Sequence, residues 1–308
     1  MTLNEFINDI FMRNFLPRHK STQQTYTVYI NQYISPNLGA KDLEAIKVLD
    51  VQNLMDWMAE GSQHGLQCDI CRDTITRTIA LLRRIYNIAV EMELVKSNPV
   101  KTKLLKNRGS DSGHHKALSD MEIHRVRDRI PRLKIPMQRT CMALITYTGM
   151  RPEELRGLRW EDIHIEEKYL VIRRAVTYTC GKIHIDTPKT ESANRTIYIV
   201  EPLQKILRDA PIKRGFVCHG RDREEAIAES SWVKFCNNIL EQLGMKGKYT
   251  MYDFRTTFAT NCKEAGLTSI QIAEMMGHAD TRMVEKIYAP RRHESVMKNG
   301  EFLERFLS

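Results

Sequence analysis

The 308-residue sequence predicts a mainly α protein in two parts: an all-helical N-terminal unit, then a second α-helical domain carrying one small three-stranded antiparallel β-sheet. Three observations predict it. Apolar residues recur at three- and four-residue spacings through residues 3–16, 21–34, 50–60 and 69–92, the repeat of a single buried helix face. A polar, basic, glycine-containing stretch, KTKLLKNRGSDSGHHKALSD, interrupts that repeat. Beyond it come the short β-branched or alternating runs KYLVIRRAV, KIHID and RTIYI, and helical periodicity returns after residue 200.

In the fourth helix Leu81, Leu82, Ile85, Ile88 and Ala89 share one face. KSNPV closes the unit, because the residue before a proline disfavours helix. The first domain is set at residues 1–103, a linker at 104–116 and the second domain at 117–308. That domain opens with Ser119 as N-cap and Glu122 three residues on, a capping pair. A helix through PMQRTCMALITYTG ends at Gly149, and another starts at RPEELRGL with Pro152 in its first turn, where a missing N–H costs nothing. The three β runs, separated by TYTCG and TPKTESAN, read as the sheet, and helices follow at 201–209, 228–243, 253–265, 268–275 and 281–288.

Lys and Arg number 47 against 38 Asp and Glu, a net charge of +9 that favours a polyanion over a neutral metabolite as partner. The N-terminus mixes charges among its apolar residues, and no run approaches a membrane span, which points to a cytoplasmic protein. Seven scattered cysteines suit a reducing compartment. Cys68 and Cys71 have C-x-x-C spacing with His64 nearby. No second ligand pair stands at finger spacing, so they are read as structural residues, and no metal or cofactor is expected.

Chemistry concentrates in four segments of the second domain. TGMRPEELRGL holds Arg151 and Glu154, MYDFRTTFAT holds Tyr252 and Arg255, MMGHADTRMVEKIY holds His278 and Tyr288, and the turn TPKTESANRTIYI holds Lys189. Together they resemble the tyrosine recombinases, the family of phage and transposon integrases, and the resemblance spans essentially the whole chain. It implies a core-binding (SAM-like) DNA-binding domain followed by a catalytic domain. By position Arg151 and Arg255 match the two catalytic arginines, Lys189 the hairpin lysine, His278 the histidine after a glycine and Tyr288 the nucleophile. Glu154 matches an acidic position that supports the first arginine. Tyr252 stands where the family usually has the histidine of H-x-x-R, and is counted with the catalytic candidates. The chain starts at the core-binding domain, so the arm-binding domain that many integrases carry before it is either lacking or was removed.

The chemistry of these residue types agrees with the assignment. A phosphodiester gains negative charge as a nucleophile adds, and two guanidiniums on its non-bridging oxygens stabilise that state more than the ground state. A phenol of pKa about 10 needs positive charge around it to lose its proton. A lysine ammonium can protonate the departing sugar oxygen without a metal. Tyr252 can hydrogen-bond but cannot add charge near neutral pH.

The activity so implied is site-specific cleavage and rejoining of double-stranded DNA through a 3′-phosphotyrosine, for integration or excision of a mobile element. The resemblance also implies a homo-tetramer on DNA, with the C-terminal tail, apolar at Phe302, Leu303, Phe306 and Leu307, docking in trans. A type IB topoisomerase-like relaxing enzyme and a non-catalytic regulator on the same scaffold are the alternatives.

Overall fold

The structure, a computed structural model, describes residues 1–18, 20–111, 113, 115–179, 181–186 and 195–277. The chain divides into two compact units, Met1–His114 and His115–Ser308.

Unit 1 is helical throughout. Helix α1 (Leu3–Phe6) runs through a π-helical segment, Ile7–Phe11, into α2 (Met12–Asn14). Helix α3 (Lys20–Tyr29) runs likewise through Ile30–Ile34 into α4 (Ser35–Leu38). Ile7 and Phe11, and Ile30 and Ile34, which bound the two π-helical segments, all lie in the core. Helices α5 (Val48–Ala59) and α6 (Arg72–Glu91) complete the unit. The apolar stripe of α6 is buried as its spacing predicts, and Tyr86, fully buried, donates its hydroxyl to the Leu43 carbonyl at 3.1 Å.

The stretch read as an open linker is laid against unit 1 as far as Asp111. Gln52 on α5 exchanges two hydrogen bonds with the backbone of Lys106, at 3.0 and 2.9 Å, and the Arg72 amide donates to Ser110 O at 2.8 Å. Arg108 pairs with Asp56 at 3.1 Å. A glycine is required at 109, because a Cβ there would lie 2.7 Å from Ile75 and 2.8 Å from the Arg72 nitrogen. The basic side chains of Lys101, Lys103, Lys106, Arg108 and Lys116 are nonetheless exposed.

Unit 2 opens with α7 (Asp120–Arg129), where Ser119 donates its backbone N–H to Glu122 at 3.0 Å. Helix α8 (Pro136–Thr148) is its central element, with Cys141 through Ile145 all buried, packed against α10 (Glu201–Arg208), α11 (Glu229–Leu243) and α12 (Met251–Glu264). Short α9 (Pro152–Gly157) follows α8, and α13 (Ser269–Met276) follows α12. The expected helix at 281–288 lies outside the described residues. No described helix is long and apolar enough to cross a membrane.

The three-stranded antiparallel sheet is present, with a membership that differs from the sequence reading. Its order is β1 (Ile163–His164), β2 (Tyr169–Ile172), β5 (Arg195–Tyr198). The run KYLVIRRAV is two strands, since β3 (Ala175–Thr179) leaves the sheet to form a separate hairpin with β4 (Lys182–Asp186), the KIHID segment. The break has a physical cause. Arg173 and Arg174 turn back to the buried Asp162 carboxylate, at 3.7 and 2.6 Å, and the Arg174 carbonyl closes onto Gly157, where a Cβ would meet it at 2.8 Å.

Candidate active site

The site grows from three helix ends. Gly149 caps α8 in the left-handed region, at φ 62°, and a Cβ there would stand 2.4 Å from the Phe258 ring. The chain then turns sharply, placing Arg151 as N-cap of α9. Glu154, three residues on, accepts the Arg151 backbone N–H at 2.8 Å and its Nη1 at 2.8 Å, so one carboxylate fixes both ends of the arginine.

Glu154 is only 3% exposed, and a second guanidinium completes its shell. Arg195, the first residue of β5, donates Nη1 and Nη2 to the two carboxylate oxygens at 2.9 and 2.8 Å. Burial works to raise the Glu154 pKa, but the Arg195 hydrogen bonds and the charges of Arg195 and Arg151 outweigh it and hold the carboxyl at about 2. The carboxylate is therefore fully ionised and forked between two arginines, the geometry in which a buried charge is tolerated.

Arg255 comes from α12, whose N-terminus is fixed by Thr250 donating its hydroxyl to Asp253 at 2.7 Å. It is 4% exposed and donates to Gly149 O at 2.6 Å and to Met276 O at 2.8 Å. Arg151 donates to the Met276 and Gly277 carbonyls at 3.4 and 3.1 Å, and Arg195 Nε to Met275 O at 2.8 Å. Three guanidiniums thus converge on the C-terminal carbonyls of α13, the negative end of that helix. Gly277, left-handed at φ 64°, ends the helix and immediately precedes His278 in sequence. Arg151, its side chain 29% exposed, is the most open of the three, so an anion would reach it first.

Tyr252 lies one turn before Arg255 on α12, and its hydroxyl donates to Glu153 Oε2 at 3.0 Å. Burial and the Glu153 charge push its pKa up to about 12, against the opposing pull of Arg255 and Arg151. Tyr252 therefore remains a protonated hydrogen-bond donor at neutral pH.

The structure brings together Arg151, Glu154, Tyr252 and Arg255. Lys189, His278 and Tyr288, with the C-terminal tail, lie outside the described residues. Two contributors went unread in the sequence: Arg195 and Glu153. Arg195 had a legible signal, since it shares a strand face with the buried Ile197, and a charged residue on a buried face needs a partner. Among the described residues, no group of three His, Cys, Asp or Glu is placed to hold a metal ion.

The model of the phage integrase family matches residues 116–294, and that of the phage integrase N-terminal SAM-like domain matches residues 2–58. The tyrosine recombinase XerC-like protein of Caldanaerobacter subterraneus subsp. tengcongensis is 24% identical over 304 residues, spanning 89% of this chain and 75% of its own length. The Tn1549 transposon integrase, solved in complex with a circular intermediate DNA, shares the fold at a TM-score of 0.80 and 17% identity, over 98% of this chain and 99% of that one. A lambda integrase tetramer bound to a Holliday junction shares it at 0.65 and 16%, over 93% and 77%. Because the family match covers more than half of the sequence and includes every arginine of the site, the chain belongs to the phage integrase family.

Proposed function

We propose that this protein is a site-specific DNA recombinase that cuts and rejoins strands of double-stranded DNA to move a mobile element, through a covalent 3′-phosphotyrosine. The observation that carries the reading is the convergence of Arg151 and Arg255 on the end of α13, one residue before His278, with Glu154 and Arg195 bracing Arg151. Tyr288 Oη, losing its proton to solvent, attacks the scissile phosphorus and the bond from phosphorus to the 5′ oxygen breaks. Lys189 gives its proton to that oxygen, which leaves as a 5′ hydroxyl. Arg151 and Arg255, with His278, stabilise the extra charge on the phosphate. Rejoining reverses the steps with a new 5′ hydroxyl, and neither a metal nor a cofactor enters.

The name of the transposon integrase and its DNA complex support a mobile-element substrate, and the lambda integrase tetramer supports a four-subunit assembly on DNA. Within such an assembly the apolar tail at Phe302, Leu303, Phe306 and Leu307 would dock on a neighbouring subunit. Residues 1–103 serve as the core-binding domain and 117–308 as the catalytic domain, with the protein acting in the cytoplasm. The test is Tyr288→Phe on a nicked trap substrate, which removes one hydroxyl and keeps the ring. DNA binding should survive while the covalent adduct disappears, and an adduct at the wild-type level would overturn the assignment.

A further inference from the structure

Between α10 and α11 the chain forms a loop whose backbone is closed on itself. Phe216 N–H donates to the Arg223 carbonyl at 2.7 Å, Gly220 N–H donates to the Glu225 carbonyl at 2.9 Å, and His219 bridges to Ala226. Gly215 enters the loop in the left-handed region, at φ 69°, and a Cβ there would stand 2.4 Å from the Arg223 oxygen. Backbone contacts therefore set where Arg214, Arg221 and Arg223 stand, and the three line one surface cleft together with Asp222 and Glu224.

That cleft carries more positive charge than it neutralises. Glu224 is taken by Arg159 from outside the cleft, and Asp222 turns one carboxylate oxygen to the Glu224 backbone N–H at 2.9 Å. Among the described residues Arg214, Arg221 and Arg223 form no ion pair, Arg214 and Arg221 being exposed and Arg223 half-buried. Guanidiniums gathered in this way repel one another until an anion lies among them, and their forked donors fit the two non-bridging oxygens of a phosphate.

The loop is also bolted to the helix that Arg151 caps. Directly after α9, Val217 N–H donates to the Leu158 carbonyl at 3.0 Å and Trp160 N–H donates to the Gly215 carbonyl at 2.9 Å. Gly215 N–H donates to Glu161 Oε1 at 3.0 Å, and the Arg159 guanidinium lies over the Phe216 ring, 5.0 Å from its centroid. From within α9 the buried Arg156 donates to Glu229 at 2.6 Å and to the Ile227 carbonyl at 3.1 Å. The loop cations and Arg151 thus ride on one packed unit.

We propose that Arg214, Arg221 and Arg223 form a second phosphate-binding site, which grips the backbone of duplex DNA away from the phosphate held by Arg151. Because the loop is tied to α9, a backbone gripped there keeps a constant relation to Arg151, and the closed loop lowers the ordering cost of the contact. The identity of the polyanion rests on the recombinase reading.

The experiment is fluorescence anisotropy on one labelled duplex over a series of salt concentrations. Each neutralised phosphate contributes about 0.9 to the slope of log affinity against log salt, so Arg221→Ala should flatten it by about 0.9 and the triple variant Arg214→Ala, Arg221→Ala, Arg223→Ala by about 2.7. Lysine at the same three positions keeps the charges and should keep most of the slope. Arg125, Arg132 and Lys134, exposed on α7 and the turn that follows it, supply the comparison: replacing all three by alanine removes the same net charge and should leave the slope at the wild-type value.

An unchanged slope in the loop triple overturns the proposal. Equal flattening in the two alanine triples overturns it as well, because the effect would then be one of net charge, and a lysine triple as flat as the alanine one would trace the loss to the loop's shape. Cleavage does not enter these readings. A wild type that binds duplex with a steep slope yet forms no covalent adduct would count against the recombinase reading and leave the loop site to be decided by the slopes.

Discussion

At the scale of the residue, the decisive interaction is the forked one at Glu154. A buried carboxylate with two bidentate partners is tolerated, and the same carboxylate with one partner is costly. Arg195→Ala should therefore lower stability by about 3–5 kcal/mol, read as a shift in the urea midpoint, and should lower adduct formation as well, because Arg151 loses its brace. The same carboxyl gives a pH signature. Its pKa of about 2 lies below the ordinary 4.5, so its contribution is present in full above the unfolded value and is lost as pH falls from about 4.5 toward 2. The ceiling of that contribution is about 3 kcal/mol. Comparing wild type with Glu154→Gln by denaturant unfolding from pH 7 to pH 3, the difference should be constant above pH 5 and shrink below 4.5. A difference that grows on acidification would contradict the assignment of the low pKa.

At the scale of the element, the site depends on how helices end. The left-handed Gly149 lets the chain leave α8 and present Arg151 two residues later at the start of α9, and its carbonyl accepts from Arg255. Gly149→Ala would combine an unfavourable backbone conformation with a Cβ pressed against Phe258, costing on the order of 2–4 kcal/mol from the two effects together. The thermal midpoint should drop accordingly, and cleavage should fall further than stability does, because the arginines move with the turn. A variant as stable and as active as wild type would show that the turn has slack. Helix α13 contributes through its other end, where carbonyls left unpaired by the helix are taken by arginines.

At the scale of the whole molecule, the charge excess governs encounter with DNA. The basic side chains from Lys101 to Lys116 are exposed although much of the backbone that carries them is fastened down, so they stay available to phosphates. If about six phosphates are neutralised, log affinity against log salt should fall with a slope near −5 or steeper for duplex DNA. Fluorescence anisotropy between low and moderate salt measures it, and a slope near zero would remove phosphate contacts as the source of affinity.

What the sequence determined by itself was whatever depends on near neighbours. The apolar stripe of α6, the capping of α7 by Ser119 and Glu122, the stop at Gly149 with the restart at Pro152, and the Arg151 and Arg255 segments were all legible, because periodicity, caps and motifs are local properties. Tertiary structure decided what depends on distant partners. Arg195 meets Glu154 across 41 residues, Arg151 meets Gly277 across 126, and His115 reaches Tyr252 from a segment whose composition read only as linker. The exit of β3 from the sheet was hidden for the same reason: it follows from Asp162 and Gly157 drawing the chain at Arg173 and Arg174 away from it, and no pattern within KYLVIRRAV could show their proximity.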